Sequence, residues 1–153
     1  MFALAAFVSA ATEALGFEGT PARFEEIWCE IFAENAAMAE SLANMEGAVP
    51  MLLLSNTSGL HKEYLWRTFP IFRLFQDGVY SYSARSSKPG DAIFNHAIER
   101  FGLDLARTLF VDDLAPNIAT ARRLGFAVLH YDQRDHAAME TALAQWRRQH
   151  GLA

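Results

Sequence analysis

The spacing of apolar residues changes near residue 50, and that change divides the chain. Residues 1–48 carry helical spacing. Leu4, Phe7, Val8, Ala11 and Leu15 fall on one face, with Gly16 as a stop. Thr20-Pro21 supplies an N-cap followed by proline at the first helical position. Phe24, Ile27, Trp28, Ile31 and Phe32 then form one apolar stripe, and a third helix is predicted over about 35–46, ending near Gly47.

From residue 51 short apolar runs alternate with helical patterns. Met51–Ser55, Val79–Ser83, 108–112 and Phe126–His130 read as strands, with a turn at Gln76-Asp77-Gly78. Helices are predicted at 59–67, 91–101, 116–124 and 135–149. Phe94, Ala97, Ile98 and Phe101 share one face of the second of these, and Gly102 ends it; Gly125 ends the third. Alternating strands and helices predict an α/β fold, a parallel sheet with helices on both faces. The expected division is a helical segment at 1–48 and an α/β core at 49–153.

Composition narrows the function. Hydrophobic residues make up 52% of the 153, charged residues 20%, and the net charge is −5 with no basic block. These values describe an ordinary globular chain and argue against a nucleic-acid or anionic-membrane surface. No apolar run reaches the ~18 residues of a spanning helix. Residues 1–11 lack the positive flank of a signal peptide. The lone Cys29 excludes an internal disulfide and suits a reducing, cytoplasmic setting. It reads as packing beside Trp28, as Met38 and Met45 read as core filler.

Three loops following strands carry the candidate chemistry, at the edge where open α/β sheets bind ligands. Ser55-Asn56-Thr57 offers a hydroxyl, an amide and backbone N–H groups to an anion, or caps the next helix. Lys88, one of only two lysines, lies between Ser87 and Pro89. It can neutralise a carboxylate and a transferring phosphoryl group, or be a solvated loop residue. Asp112 and Asp113 end a buried strand, with Asn117 one helical turn on. Two acids there ask for a hard cation such as Mg²⁺, or one of them caps the next helix.

The order LLLSNTS, SSKPG and LFVDDLAPNIATARRLGF resembles the haloacid dehalogenase-like hydrolases, in the branch with a helical cap after the first strand. The resemblance covers about residues 20–132 and implies a Rossmann-like core. It implies that Ser55 and Asn56 bind the phosphoryl group, supported by Thr57. Lys88 steadies nucleophile and phosphoryl group. Asp113 is the direct Mg²⁺ ligand, with Asp112 its closer or outer partner and a catalytic group, and Asn117 orders that loop. Residues 1–48 become the cap. The function implied is a Mg²⁺-dependent phosphatase of small phosphorylated metabolites. The alternatives are a 2-haloacid dehalogenase and a non-catalytic phosphate- or metal-binding module.

One part of the family pattern is missing. The first 76 residues contain no aspartate, and none of their glutamates ends an apolar strand in an acid-x-acid pattern. The nucleophile is therefore expected to be absent, and with it the central strand between 51–55 and 108–112. The flanking strands then pair directly, or another segment or chain fills the gap, or the natural reading frame starts further upstream. For this chain the expectation is a rearranged sheet, homo-oligomers through exposed edges, and little or no turnover.

Overall fold

A computed structural model describes the backbone of residues 2–152 and the side chains of residues 5–152. The side chain of Leu4 thus lies outside the described residues. Among the described residues, eight helices and four strands follow in the order α1 (Phe2–Ala14), α2 (Pro21–Cys29), α3 (Ala36–Ala43), β1 (Leu52–Ser55), α4 (Gly59–Thr68), β2 (Asp77–Tyr80), α5 (Ser81–Ala84), α6 (Asp91–Phe101), β3 (Leu109–Asp112), α7 (Ala115–Leu124), β4 (Ala127–His130) and α8 (His136–Gln149). Short 3₁₀ turns at Pro70–Leu74 and Leu105–Arg107 lie between them. None of the described helices is long and apolar enough to cross a membrane.

The caps explain where helices begin. The Thr20 hydroxyl accepts from the Arg23 amide, Asn35 Oδ1 from Met38, Ser58 Oγ from His61 and Asp135 Oδ1 from Ala138. Gly125, at φ +103°, ends α7 in the left-handed region that L side chains rarely adopt.

All pairing is parallel, but the strands do not form one sheet. β1 pairs with β2 and β3 with β4. Among the described residues, no strand pairs with the remaining edge of β1 or of β3. The sheet is therefore split into two pairs: among the described residues no strand lies between β1 and β3, and of the outcomes expected for a missing central strand, direct pairing of these two is not the one adopted.

A correction concerns β2. The turn expected at Gln76-Asp77-Gly78 is ladder instead, since the Gln76 amide donates to the Met51 carbonyl at 2.9 Å and Asp77 registers with Leu52. Glycine is required at position 78, where a Cβ would stand 2.9 Å from that of Leu53. The chain then turns helical at Ser81 rather than continuing as strand to residue 83. The stripe expected over residues 24–32 is also too long, for α2 ends at Cys29 and Ile31 is exposed.

α6 and α7 hold the two strand pairs together on one face. Val79, Ile93, Phe94, Ala97, Ala121 and Phe126 form one buried cluster, with Leu54, Phe110 and Val128 packed against it. All four strands or their ends thus contribute to a single core. On the other face α3 meets α8, where Ser41 Oγ donates to Glu140 Oε1 and lies 2.9 Å from His136 Nε2. α1, α2 and α4 make a separate cluster of Val8, Phe24, Cys29 and Leu60. Cys29 is packing, as its neighbours suggest: burial first, then Glu25, pushes its thiol pKa up and away from reactivity.

Candidate functional site

Helix registers and loop lengths bring the predicted residues together at the carboxyl ends of β1 and β3. Asn56 leaves β1 and grips the loop before α6. Its Nδ2 donates to the Lys88 carbonyl and its Oδ1 accepts from the Lys88 amide, both at 2.8 Å. This two-point clamp fixes the backbone of Lys88 from a different strand. The Thr120 hydroxyl holds the other side of the loop by donating to the Pro89 carbonyl at 2.8 Å.

The Lys88 ammonium points across the gap and donates to Asp112 Oδ2 at 2.6 Å. The two side chains are only 12% and 6% exposed, so the loop lysine is not solvated. Asp112 Oδ1 accepts from the Leu114 amide at 2.9 Å and from Asn117 Nδ2 at 2.8 Å. Asn117 is buried, and its Nδ2 ties the first turn of α7 to the Asp112 carboxylate. Because Asn56 directly follows β1 and Asp112 ends β3, the chain Asn56–Lys88–Asp112 bridges both half-sheets at one end. β1 and β3 therefore run in the same direction.

Burial pushes the Asp112 carboxyl up, but the Lys88 ammonium, the Leu114 amide and the Asn117 side chain outweigh it and hold the pKa below the ordinary carboxylate range. A folded pKa lower than the unfolded one stabilises the fold above the unfolded value of about 3.9, and that contribution disappears as pH falls through the folded value. Acid titration of stability is expected to show a decline beginning below about pH 4 that is shallower in Asp112→Asn. Equal slopes in urea melts across that range would refute this assignment.

The other predicted residues are placed less tightly. Ser55 is half-buried at the end of β1 and lines the cavity beside Lys88. The Thr57 amide donates to Ser81 Oγ at 3.0 Å, tying the loop to the end of β2. Asp113 is exposed; its carbonyl lies 2.9 Å from His130 Nε2, and its carboxylate has no side-chain partner among the described residues. Met38 and Met45 line the cavity rather than filling a core. His130, Tyr131 and Ser41 line it as well and carried no signal in the sequence, since each is an isolated polar residue brought in by a distant element.

Asp112, Asp113 and Ser55 present hard oxygen donors of the kind Mg²⁺ takes alongside several waters. They fit the ion in kind. Both oxygens of Asp112 are already engaged, and no group of three or more His, Cys, Asp or Glu side chains comes together among the described residues. The acid pair thus supplies one side of such a site.

The family model for haloacid dehalogenase-like hydrolases matches residues 6–125. Among solved structures, a HAD family enzyme from Bacteroides thetaiotaomicron superposes with a TM-score of 0.75 at 23% identity, over 85% of this chain and 68% of that one. The wild-type protein of the same enzyme, in complex with magnesium and inorganic phosphate, gives a TM-score of 0.76 at 23% identity, over 85% and 69%. A predicted HAD-like family hydrolase from Porphyromonas gingivalis gives 0.71 at 26% identity, over 90% of this chain and 71% of that chain.

Proposed function

Because this chain belongs to the haloacid dehalogenase-like hydrolase family, we propose that its strand-end site holds the phosphoryl group of a small phosphomonoester beside Mg²⁺. The observation that carries this reading is the buried Lys88–Asp112 pair, clamped by Asn56 and facing a cavity. An ammonium has three N–H donors. One is spent on Asp112, leaving two for phosphoryl oxygens. Asn56 keeps one N–H beyond its clamp, and the Ser55 hydroxyl is a further donor. Asp113 and Asp112 would hold the cation, which supplies charge neutralisation of the phosphoryl oxygens when bound. The magnesium and phosphate bound by the Bacteroides enzyme of the same fold support the ligand class.

Hydrolysis of a phosphomonoester in this family needs a carboxylate to attack phosphorus and water to release the phosphate. Among the described residues Lys88 has only Asp112 as an acidic partner, and Asp112 is committed to three donors. The chain by itself is thus a binding half-site without turnover. Residues 1–48 act as the cap that selects the substrate.

Calorimetric titration of the 153-residue protein with inorganic phosphate in the presence of Mg²⁺ tests the binding. Phosphate is expected to bind, and Lys88→Met to lose that binding by tenfold or more, about 1.4 kcal/mol. p-Nitrophenyl phosphate should not be hydrolysed above background. Turnover at the ~1 s⁻¹ or faster typical of enzymes would overturn the inactive reading. Phosphate binding unchanged in Lys88→Met would overturn the site.

A further inference from the structure

The two acids at the end of β3 are held in different ways. Asp112 spends both carboxylate oxygens, on Lys88, the Leu114 amide and Asn117. The exposed Asp113 carboxylate has no side-chain partner among the described residues. Asp113 and Leu114 lie outside helix and strand, between the end of β3 and the start of α7. A free carboxylate on such a loop binds an ion at a cost, because the loop must be ordered first.

β4 removes that freedom. Asp112 and His130 are register partners, and the Tyr131 amide donates to the Asp112 carbonyl at 2.9 Å. The next carbonyl, that of Asp113, lies 2.9 Å from His130 Nε2. The His130 side chain thus takes over where the strand ladder ends. A carbonyl only accepts, so Nε2 carries the hydrogen in this contact and donates it.

The kind of donor matters as much as its reach. A Lys or Arg side chain there would bring a fixed positive charge close to Asp113 and repel a divalent cation. An imidazole donates an N–H as a neutral group. His130, Asp112 and Asp113 line the same cavity, so the ring stands beside the acid pair without adding such a charge.

We propose that His130 is a positioning residue for the cation site: its Nε2–H holds the Asp113 main chain so that the Asp113 carboxylate stays free for Mg²⁺. This inference rests on the proposed binding of Mg²⁺ by the acid pair and adds a residue to it. His130 acts through Asp113 and is not itself a ligand. Removing a group that orients a metal ligand typically weakens metal binding by about 10–100-fold.

The test is a Mg²⁺ titration of the whole protein, followed by NMR through the backbone amide shifts of Asp113 and Leu114. The wild type should show a saturable shift. His130→Ala should need about tenfold more Mg²⁺ to saturate. His130→Gln, whose amide nitrogen replaces Nε2 as a neutral donor, should stay within about threefold of the wild type. His130→Arg keeps a donor but adds a charge, and should bind no better than His130→Ala. His130 is exposed, so the melting temperatures of all three should stay near that of the wild type. Equal affinity in His130→Ala and the wild type would overturn this inference alone. So would a His130→Gln protein as weak as His130→Ala, a His130→Arg protein as tight as the wild type, or affinities that merely track a fall in melting temperature. No saturable shift in the wild type would overturn the proposed cation site itself, and the role of His130 with it.

Discussion

Phe94→Ala is expected to destabilise the protein by about 3–5 kcal/mol, the largest effect of any single core substitution here. Phe94 has no exposed surface. Its ring meets Phe110 edge-on at 5.3 Å and Phe126 at 6.3 Å, and its core cluster also contains Val79 and takes in Leu54. It therefore sits where both strand pairs converge on α6. In a continuous sheet, backbone ladders would share the work of joining β1 to β3. Here those ladders are missing, and side-chain packing alone spans the join on this face. A loss of this size is a large fraction of the ~5–15 kcal/mol that domains possess. Urea denaturation should show the midpoint falling by roughly 1–3 M, taking a slope of about 2 kcal/mol per molar. Ile31→Ala, at a side chain 71% exposed, should move it little. Similar midpoints for Phe94→Ala and the wild type would mean that the half-sheets are held together elsewhere.

Asp112→Ala is the second large effect. It leaves the Lys88 ammonium in a pocket where its side chain is only 12% exposed, with its carboxylate gone. Breaking a buried pair from one side costs about 3–5 kcal/mol, because a charge stays desolvated without compensation. It also orphans the Leu114 amide and Asn117 Nδ2. Replacing both partners, as Lys88→Met with Asp112→Leu, removes both charges and should recover much of the loss. Thermal melts of the wild type, Lys88→Met, Asp112→Leu and the double variant form a double-mutant cycle with a coupling energy of about 2 kcal/mol or more. Additive losses would show that the 2.6 Å contact contributes nothing beyond its separate parts. Phosphate binding, in contrast, should be lost in both variants. Recovery of stability without recovery of binding separates the structural role of the pair from its chemical one.

Much of this was legible in the residues. Helical spacing found each helix of eight or more residues, short apolar runs found three strands and the second half of β2, and Gly102 and Gly125 marked their helix ends. The errors have local physical causes. Asp77 and Gly78 have turn chemistry, yet they join β2. The Asp77 carboxylate is satisfied there by the Gly78 amide at 2.7 Å and by Arg100 at 2.6 Å. Tertiary pairing overrode a local preference that Asp-Gly usually wins. Ile31 and Phe32 continue a helical stripe, but the α2 hydrogen-bond pattern ends at Cys29.

The strand-end residues were found from their order, whereas their geometry was not readable. That Asn56 spends its amide on the Lys88 backbone depends on two loops 32 residues apart in sequence. The patch of Ser41, His136 and Glu140 joins residues 95 and 99 apart, and no local pattern announces such a contact. The split sheet follows from a strand expected by resemblance and not found. How wide the gap is, and that helices cover it on both faces, could come only from the fold.

The split also has a meaning for how the chain folds. Each strand pair joins neighbours in sequence, β1 with β2 and β3 with β4, through a crossover that carries a helix. Such contacts are short in sequence separation and close small loops, so the entropy lost in forming each is modest. Among the described residues, no backbone ladder zips one half against the other, which is the costly long-range step of a complete doubly wound sheet. The two halves are local units brought together by side chains, chiefly those of α6.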